Sequence, residues 1–234
     1  MLDYIEYIKK NNLGEIKTNK TFKDITTLKI GGSIDLLFYP STIENFIIFY
    51  KYYLKNEKYP IIIIGNGSNV LASSDEYKGI VVSFKKINYK YSLVKNIVTV
   101  SSGVLINDLI NFLKNNNLSG LEKLYYIPAT IGGLLKMNGS AYGNAISDNL
   151  IYMKVIDENG SIKIINKEEI EFSDCSETVI NKCIQDAEQK GYALAVEMIE
   201  EGVYKMTFTY NYKAMFFDAG KDVNIVGYAK GGVL

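Results

Sequence analysis

The chain has 234 residues and no net charge, with 47% hydrophobic and 22% charged residues, a composition typical of a globular protein with one large domain or two smaller ones. The neutral balance argues against a nucleic-acid-binding surface. There is no histidine and all 26 basic residues are lysines, which excludes a Ser-His-Asp triad, a histidine-ligated zinc site and a bidentate arginine clamp within these residues.

Residues 1–13 predict an amphipathic helix that ends near Asn11. Charged residues interrupt its apolar positions, so the segment lacks the continuous apolar core of a signal peptide. No apolar run in the chain approaches the roughly 18 residues that a membrane span needs. The sequence therefore predicts a cytoplasmic protein that does not insert into a membrane.

Strands and helices alternate in the segments that follow. Ser41-Thr-Ile-Glu44 has the form of a capping box, with Ser41 as the N-cap of a helix that ends near Asn56. The continuous apolar run over residues 61–64 predicts a buried strand, and Glu158-Asn-Gly160 favours a hairpin turn. A further helix is predicted over residues 106–115, and the other predicted strands cover residues 35–39, 80–84, 96–100, 151–156 and 161–165.

Two segments are rich in small residues, and the first of them follows a predicted strand. The first loop, residues 65–69, reads Gly-Asn-Gly-Ser-Asn, and glycine permits the close backbone approach that a bound anion needs. Ser68 and Asn69 can add side-chain hydrogen bonds. The second loop, residues 128–133, reads Pro-Ala-Thr-Ile-Gly-Gly and lies about sixty residues further on. Together they suggest a phosphate-containing ligand, although a tight turn explains each loop taken singly.

The motifs occur in a characteristic order: Thr26-Thr-Leu-Lys-Ile-Gly-Gly32, Gly65-Asn-Gly-Ser-Asn-Val-Leu71, then Ile127-Pro-Ala-Thr-Ile-Gly-Gly133 with Met137-Asn-Gly-Ser-Ala-Tyr-Gly143. In this combination the chain resembles the UDP-N-acetylenolpyruvoylglucosamine reductase (UDP-N-acetylmuramate dehydrogenase) family over roughly residues 15–173. Three spaced motifs are far more specific than one glycine motif.

The resemblance implies an α+β fold, with a two-subdomain FAD-binding module of the UDP-N-acetylmuramate dehydrogenase and vanillyl-alcohol-oxidase type. The implied subdomains are residues 1–84 and 85–173, with FAD held between them. A small divergent α+β unit, residues 174–234, stands in place of the family's substrate domain. NADPH is the implied co-substrate, and the implied reaction is reduction of the enolpyruvyl group of a UDP-sugar in peptidoglycan precursor synthesis.

The same resemblance assigns cofactor-binding residues. The first loop would bind the pyrophosphate of FAD, and the glycines of the second loop would let backbone amides reach the cofactor from the other subdomain. Other readings stay open: a bend beside a helix for Gly132-Gly133, core packing for Tyr142, and a turn leading into a strand for residues 26–32. The assigned residues are Gly65, Asn66, Gly67, Ser68, Asn69, Pro128, Thr130, Gly132, Gly133, Asn138, Ser140, Ala141 and Tyr142.

The chain departs from the family pattern after Ser173. The family continues with Tyr-Arg and a serine, whereas this chain reads Asp174-Cys175-Ser176, and the segment that supplies the proton-donating serine has no counterpart in residues 177–234. Losing a cationic stabiliser and a proton donor should impair the reduction of the enolpyruvyl group of the UDP-sugar. The catalytic residues are therefore not assigned. The alternative is a non-catalytic FAD- or nucleotide-binding protein, or the product of a disrupted or fused reductase gene.

The last sixty residues predict a helix and three strands. The helix covers residues 177–190, and the two cysteines, Cys175 and Cys183, are expected to be buried reduced thiols. Glu197 either matches the catalytic glutamate that the family carries in the C-terminal part of its sequence or is an outward-facing carboxylate on a strand. The strands cover residues 193–199, 203–212 and 223–228, and the alternating pattern of the second is typical of an antiparallel strand.

Overall fold

A computed structural model describes residues 1–88 and 90–170, and the backbone of three later strands. Met1–Glu169 form one compact unit, and Ile170–Leu234 form a second. The predicted helix over residues 177–190, both cysteines and the Asp174-Cys175-Ser176 segment lie outside the described residues. Within the described part of the chain, no helix combines the length and hydropathy needed to cross a membrane.

The first unit contains five α-helices, four short 3-10 helices and eleven strands among its described residues. The predicted helices near residues 1–11, 41–56 and 106–115 are confirmed as α1, α3 and α4. The α-helices are α1 (Leu2–Lys10), α2 (Phe22–Ile25), α3 (Ile43–Lys55), α4 (Ile106–Asn115) and α5 (Ile131–Lys136). The strands are β1 (Gly14–Lys17), β2 (Lys20–Thr21), β3 (Ser33–Pro40), β4 (Ile61–Ile63), β5 (Tyr77–Val82), β6 (Tyr91–Val94), β7 (Ile97–Val100), β8 (Ser140–Ala141), β9 (Asn144–Ala145), β10 (Tyr152–Ile156) and β11 (Ile162–Asn166).

A mixed sheet organises the first ninety residues. Its strand order is β1-β3-β5-β4, with β2 also paired to β3. The strands β3, β5 and β4 run parallel, whereas β1 and β2 run antiparallel to β3. The carboxyl ends of parallel strands meet at one edge of a sheet, so the segments that follow β4 and β5 are neighbours.

Both faces of the sheet are covered because β3 is apolar on both. Leu36 and Phe38 pack against α1 and α3, with Phe49 of α3 fully buried in the same cluster. Leu37 packs with Phe22 in a second cluster on different partners. This continuous burial is expected for strands that lie inside a parallel sheet.

The strand β4 is less buried than the sequence predicts. Only Ile64, which follows the strand, is buried, at 5% exposure, whereas Ile63 is 61% exposed. The strand predicted over residues 61–64 is confirmed as β4, but the prediction that it is buried was wrong. The physical reason is its place in the sheet: among the described strands β4 pairs with β5 alone and forms an edge, so an apolar run alone does not give its position.

The segment from residue 90 to 169 has its own core. The hairpin β6-β7 packs with α4 and α5 around Ile106, Leu109 and Leu134. The predicted strand over residues 96–100 is confirmed as β7, and its partner β6 escaped prediction. A second hairpin, β10-β11, confirms the prediction around Glu158-Asn-Gly160: the Asp157 carboxylate accepts backbone N–H groups from Asn159 and Ser161.

Thr42, and not Ser41, is the N-cap of α3. The Thr42 hydroxyl oxygen accepts the backbone N–H of Asn45 at 3.1 Å, and Thr42 has the extended backbone of an N-cap residue. Ser41 instead accepts the side-chain amide of Asn45 at 2.7 Å. The prediction of Ser41 as the N-cap was therefore wrong by one residue, because Pro40 still belongs to β3.

Replacing Thr42 with alanine is expected to lower the free energy of unfolding by about 1 kcal/mol, since the first turn of α3 loses its side-chain acceptor. Thr42→Ser keeps the hydroxyl oxygen and should retain most of the stability. Urea unfolding of the two variants beside the unchanged protein measures this difference. Equal losses in both variants would show that the hydroxyl does not cap the helix.

The second unit contains three described strands in an antiparallel sheet: β12 (Tyr192–Glu200), β13 (Val203–Asn211) and β14 (Asp222–Lys230). They confirm the three strands predicted in this part of the chain. Glu197 of β12 is paired in register with Lys205 of β13.

Candidate functional site

The first loop begins where the edge strand β4 ends. The backbone N–H of Ile64 donates to Val82 O at 2.9 Å, which fixes the start of the loop against β5. The backbone N–H groups and side chains of Ser68 and Asn69 have no hydrogen-bond partner among the described residues. Backbone N–H groups without protein acceptors are free to donate to an anion.

The first loop contacts the threonine segment, residues 26–32. The backbone N–H of Thr27 donates to Gly67 O at 3.1 Å, and its hydroxyl approaches the same oxygen at 3.3 Å. Gly67 has φ +68°, and a Cβ there would lie 2.4 Å from Ile25 O. Glycine is therefore required at this position by both the backbone conformation and the close contact.

The first loop also contacts the second loop. The side-chain amide of Asn66 donates to Pro128 O at 2.8 Å. A Cβ on Gly65 would lie 2.4 Å from Thr130 Oγ1, so the two loops are closer than a side chain at Gly65 would allow. Three motifs that are far apart in the sequence thus meet at one place.

The second loop is held by a segment that the sequence analysis missed, residues 102–104. The N–H of Gly132 donates to Ser102 O at 2.8 Å, and a Cβ on Gly132 would lie 2.8 Å from Ser102 Cβ. The N–H of Gly133 donates to Thr130 Oγ1 at 3.3 Å. Both amides that were expected to reach a cofactor therefore have protein acceptors. Glycine at 132 serves the close packing against Ser102, and both glycines lie inside α5, so the alternative of a bend beside a helix was wrong.

Residues 138–143 follow α5 and include a tight hairpin turn. Tyr142 and Gly143 both have positive φ, 50° and 77°, between β8 and β9. Tyr142 is 82% exposed, so the alternative of core packing for this residue was wrong. Ser140 is exposed and Ala141 is half-buried. The side-chain oxygen of Asn138 is buried and has no partner among the described residues.

Lys85 is a second feature that the sequence analysis missed. Its ammonium donates to Asn66 Oδ1 at 2.8 Å. Burial and, to a lesser degree, the charge of Lys29 lower the pKa of Lys85. A signal was present in the sequence: residues 84–86 follow β5 as the first loop follows β4, and the carboxyl ends of neighbouring parallel strands lie together.

The described residues also enclose a mostly apolar cavity of about 960 Å³. It is lined by parts of α3, β4, β7, α4 and β10. None of the thirteen residues assigned to FAD lines this cavity. Ile131 of the second loop and Ser102 do line the cavity, so it adjoins the second loop but contains no residue of the first loop.

Comparisons with known proteins agree with the converging motifs. Residues 34–166 match the FAD binding domain family, which is more than half of the chain. The UDP-N-acetylenolpyruvoylglucosamine reductase of Fusobacterium nucleatum subsp. nucleatum is 37% identical over 156 residues, covering 67% of this chain and 54% of that protein. The chain spans about half the length of the curated relatives it matches.

Two solved structures resemble the fold. The crystal structure of the UDP-N-acetylenolpyruvylglucosamine reductase of Thermus caldophilus has a TM-score of 0.54 and 27% identity, covering 68% of this chain and 55% of that one. An alkyldihydroxyacetonephosphate synthase has a TM-score of 0.54 at 16% identity, covering 71% of this chain and 35% of that one, and shows likeness of fold alone. The chain belongs to the FAD binding domain family, and within it to the family of the UDP-N-acetylenolpyruvoylglucosamine reductases.

Proposed function

We propose that this chain binds FAD where its two loops meet, as the flavin module of an NADPH-using reductase of UDP-N-acetylglucosamine enolpyruvate. One observation carries the proposal: Asn66 of the first loop donates to Pro128 O of the second, so residues sixty apart form one surface. In this proposal the subdomains are residues 1–84 and 85–173, and the protein acts in the cytoplasm.

The polar groups at this place suit a dinucleotide. The N–H groups of Ser68 and Asn69 suit the oxygens of a diphosphate. In this proposal the side-chain oxygen of Asn138, which is buried and has no partner among the described residues, would accept an N–H or hydroxyl of the ligand. The N–H groups of Gly132 and Gly133 already donate hydrogen bonds to protein oxygens. These two glycines would therefore let the ligand approach the backbone closely without donating hydrogen bonds to it. Bound FAD would supply the hydride chemistry that no side chain can supply.

A non-catalytic flavin-binding protein is the second candidate, because the 234 residues contain no arginine. The family's arginine would stabilise negative charge on the enolpyruvyl substrate, and lysine does not reproduce its bidentate geometry. In the first candidate, the reduction of the UDP-sugar is consequently impaired. Residues 174–234 would then differ in role from the substrate domain of the relatives.

The visible spectrum of the purified chain and its NADPH oxidation separate these candidates. We expect a flavin spectrum, either as purified or after incubation with FAD. NADPH oxidation that increases with the enolpyruvyl UDP-sugar would favour the reductase, and a flavin spectrum without such turnover would favour the non-catalytic protein. A chain that remains colourless after incubation with FAD would contradict both.

A further inference from the structure

Two adjacent lysines, Lys85 and Lys86, have different surroundings. Lys86 pairs with the Glu15 carboxylate and lies 4.7 Å from the centre of the Tyr39 ring. Lys85 takes part in none of the ion pairs among the described residues, and its ammonium donates to the neutral Asn66 side chain. Asn66 in turn donates to Pro128 O, so its side-chain orientation is fixed from both ends.

A second cation, Lys29, has an electrostatic effect on Lys85. Lys29 lies in the threonine segment with φ 57°, and its positive charge helps to lower the pKa of Lys85. Lys29 also takes part in no ion pair among the described residues. Hydrogen bonds from Thr21 and, to a lesser degree, the charge of Lys29 lower the pKa of the Asp24 carboxyl. The charge of Lys29 therefore acts on a carboxylate as well as on Lys85.

The anion-binding groups lie on the same loop as the lysine contact. Ser68 and Asn69, with their unpartnered N–H groups, are two and three residues from Asn66. The first loop itself contains no charged residue, and neutral N–H groups bind a doubly charged diphosphate less strongly than they do with a cation beside them.

We propose that Lys85, positioned by Asn66, contacts the diphosphate of the dinucleotide. This inference rests on the proposed function and adds to it the residues that select a diphosphate. Lys85 is a binding residue in this account, and Asn66 is a positioning residue that joins it to the second loop.

The test is a titration of the full chain with FAD, followed by flavin fluorescence, for Lys85→Gln, Lys85→Arg and the neighbouring control Lys86→Gln. Lys85→Gln keeps a donor and loses the charge, so we expect FAD to bind about tenfold more weakly. Lys85→Arg keeps the charge and should stay within about threefold of the unchanged protein. Lys86→Gln should bind FAD as the unchanged protein does, because its charge pairs with Glu15.

A salt series separates a charge effect from a change of fold. Raising the salt concentration from about 50 to 300 mM screens charge contacts, so FAD affinity should fall more in the unchanged protein than in Lys85→Gln. Equal affinities of Lys85→Gln and the unchanged protein would overturn the inference alone, as would equal losses in Lys85→Gln and Lys86→Gln. An unchanged protein that binds no FAD would overturn the proposed function together with the inference.

Discussion

The substitution Gly65→Ala is expected to weaken FAD binding by more than about tenfold and to lower the free energy of unfolding by about 1–3 kcal/mol. The new Cβ would lie 2.4 Å from Thr130 Oγ1, which is closer than any ordinary contact. Since Gly65 needs no positive φ, the cost comes from this contact alone. The two loops must move apart, and the ligand groups on them move with the loops. FAD titration and urea unfolding measure the two effects.

A double-mutant cycle with Thr130→Ala tests the cause. Removing the Thr130 hydroxyl takes away the atom that the new Cβ would meet, leaving its nearest neighbours at 3.7 Å. The single change Thr130→Ala loses the acceptor for Gly133 N–H, at about 1 kcal/mol. The double variant should therefore be more stable than the sum of the two single losses predicts. Additive losses would show that the two residues are not in contact.

The substitution Gly67→Ala is expected to lower the free energy of unfolding by about 3 kcal/mol or more. Gly67 has φ +68°, and its Cβ would meet two backbone atoms, Ile25 O at 2.4 Å and Thr26 Cα at 2.8 Å. Backbone atoms cannot rotate away as a flexible side chain can. The contact between the first loop and the threonine segment should therefore be lost.

Gly143→Ala is the matched control for this change. Gly143 has a similar φ, +77°, but no atom lies within 4 Å of its Cβ position. Its loss of stability should be limited to the backbone strain, about 1 kcal/mol. Urea unfolding midpoints of the two variants give the comparison. If both variants lose the same stability, the first loop does not lie against the threonine segment.

The elements best predicted from the sequence are those whose signals are local. The apolar spacing of Ile106, Leu109, Ile110 and Leu113 gave the bounds of α4, because one face of a helix is repeated every 3.6 residues. The hairpin β10-β11 followed from its turn residues. The convergence of the motifs followed from resemblance, and the contact between Asn66 and Pro128 confirms that the two loops meet.

The features that escaped prediction depend on distant parts of the chain. The exposure of Ile63 reflects the edge position of β4, and strand order is set by pairing between residues far apart in sequence. The acceptor of the Gly132 N–H is the backbone oxygen of Ser102, which lies far from the glycine motif in the sequence. Lys85 lies beside the first loop because β4 and β5 are adjacent and parallel, and the order of the residues indicates only that it follows a strand.

The central claim is that the first and second loops together hold one FAD. A crystal structure of the full chain grown with FAD tests this most directly. Diphosphate oxygens are expected within about 3 Å of the N–H groups of Ser68 and Asn69, with Lys85 beside them. FAD bound in the apolar cavity beside α3 and β7, with no contact to the first loop, would contradict the shared site.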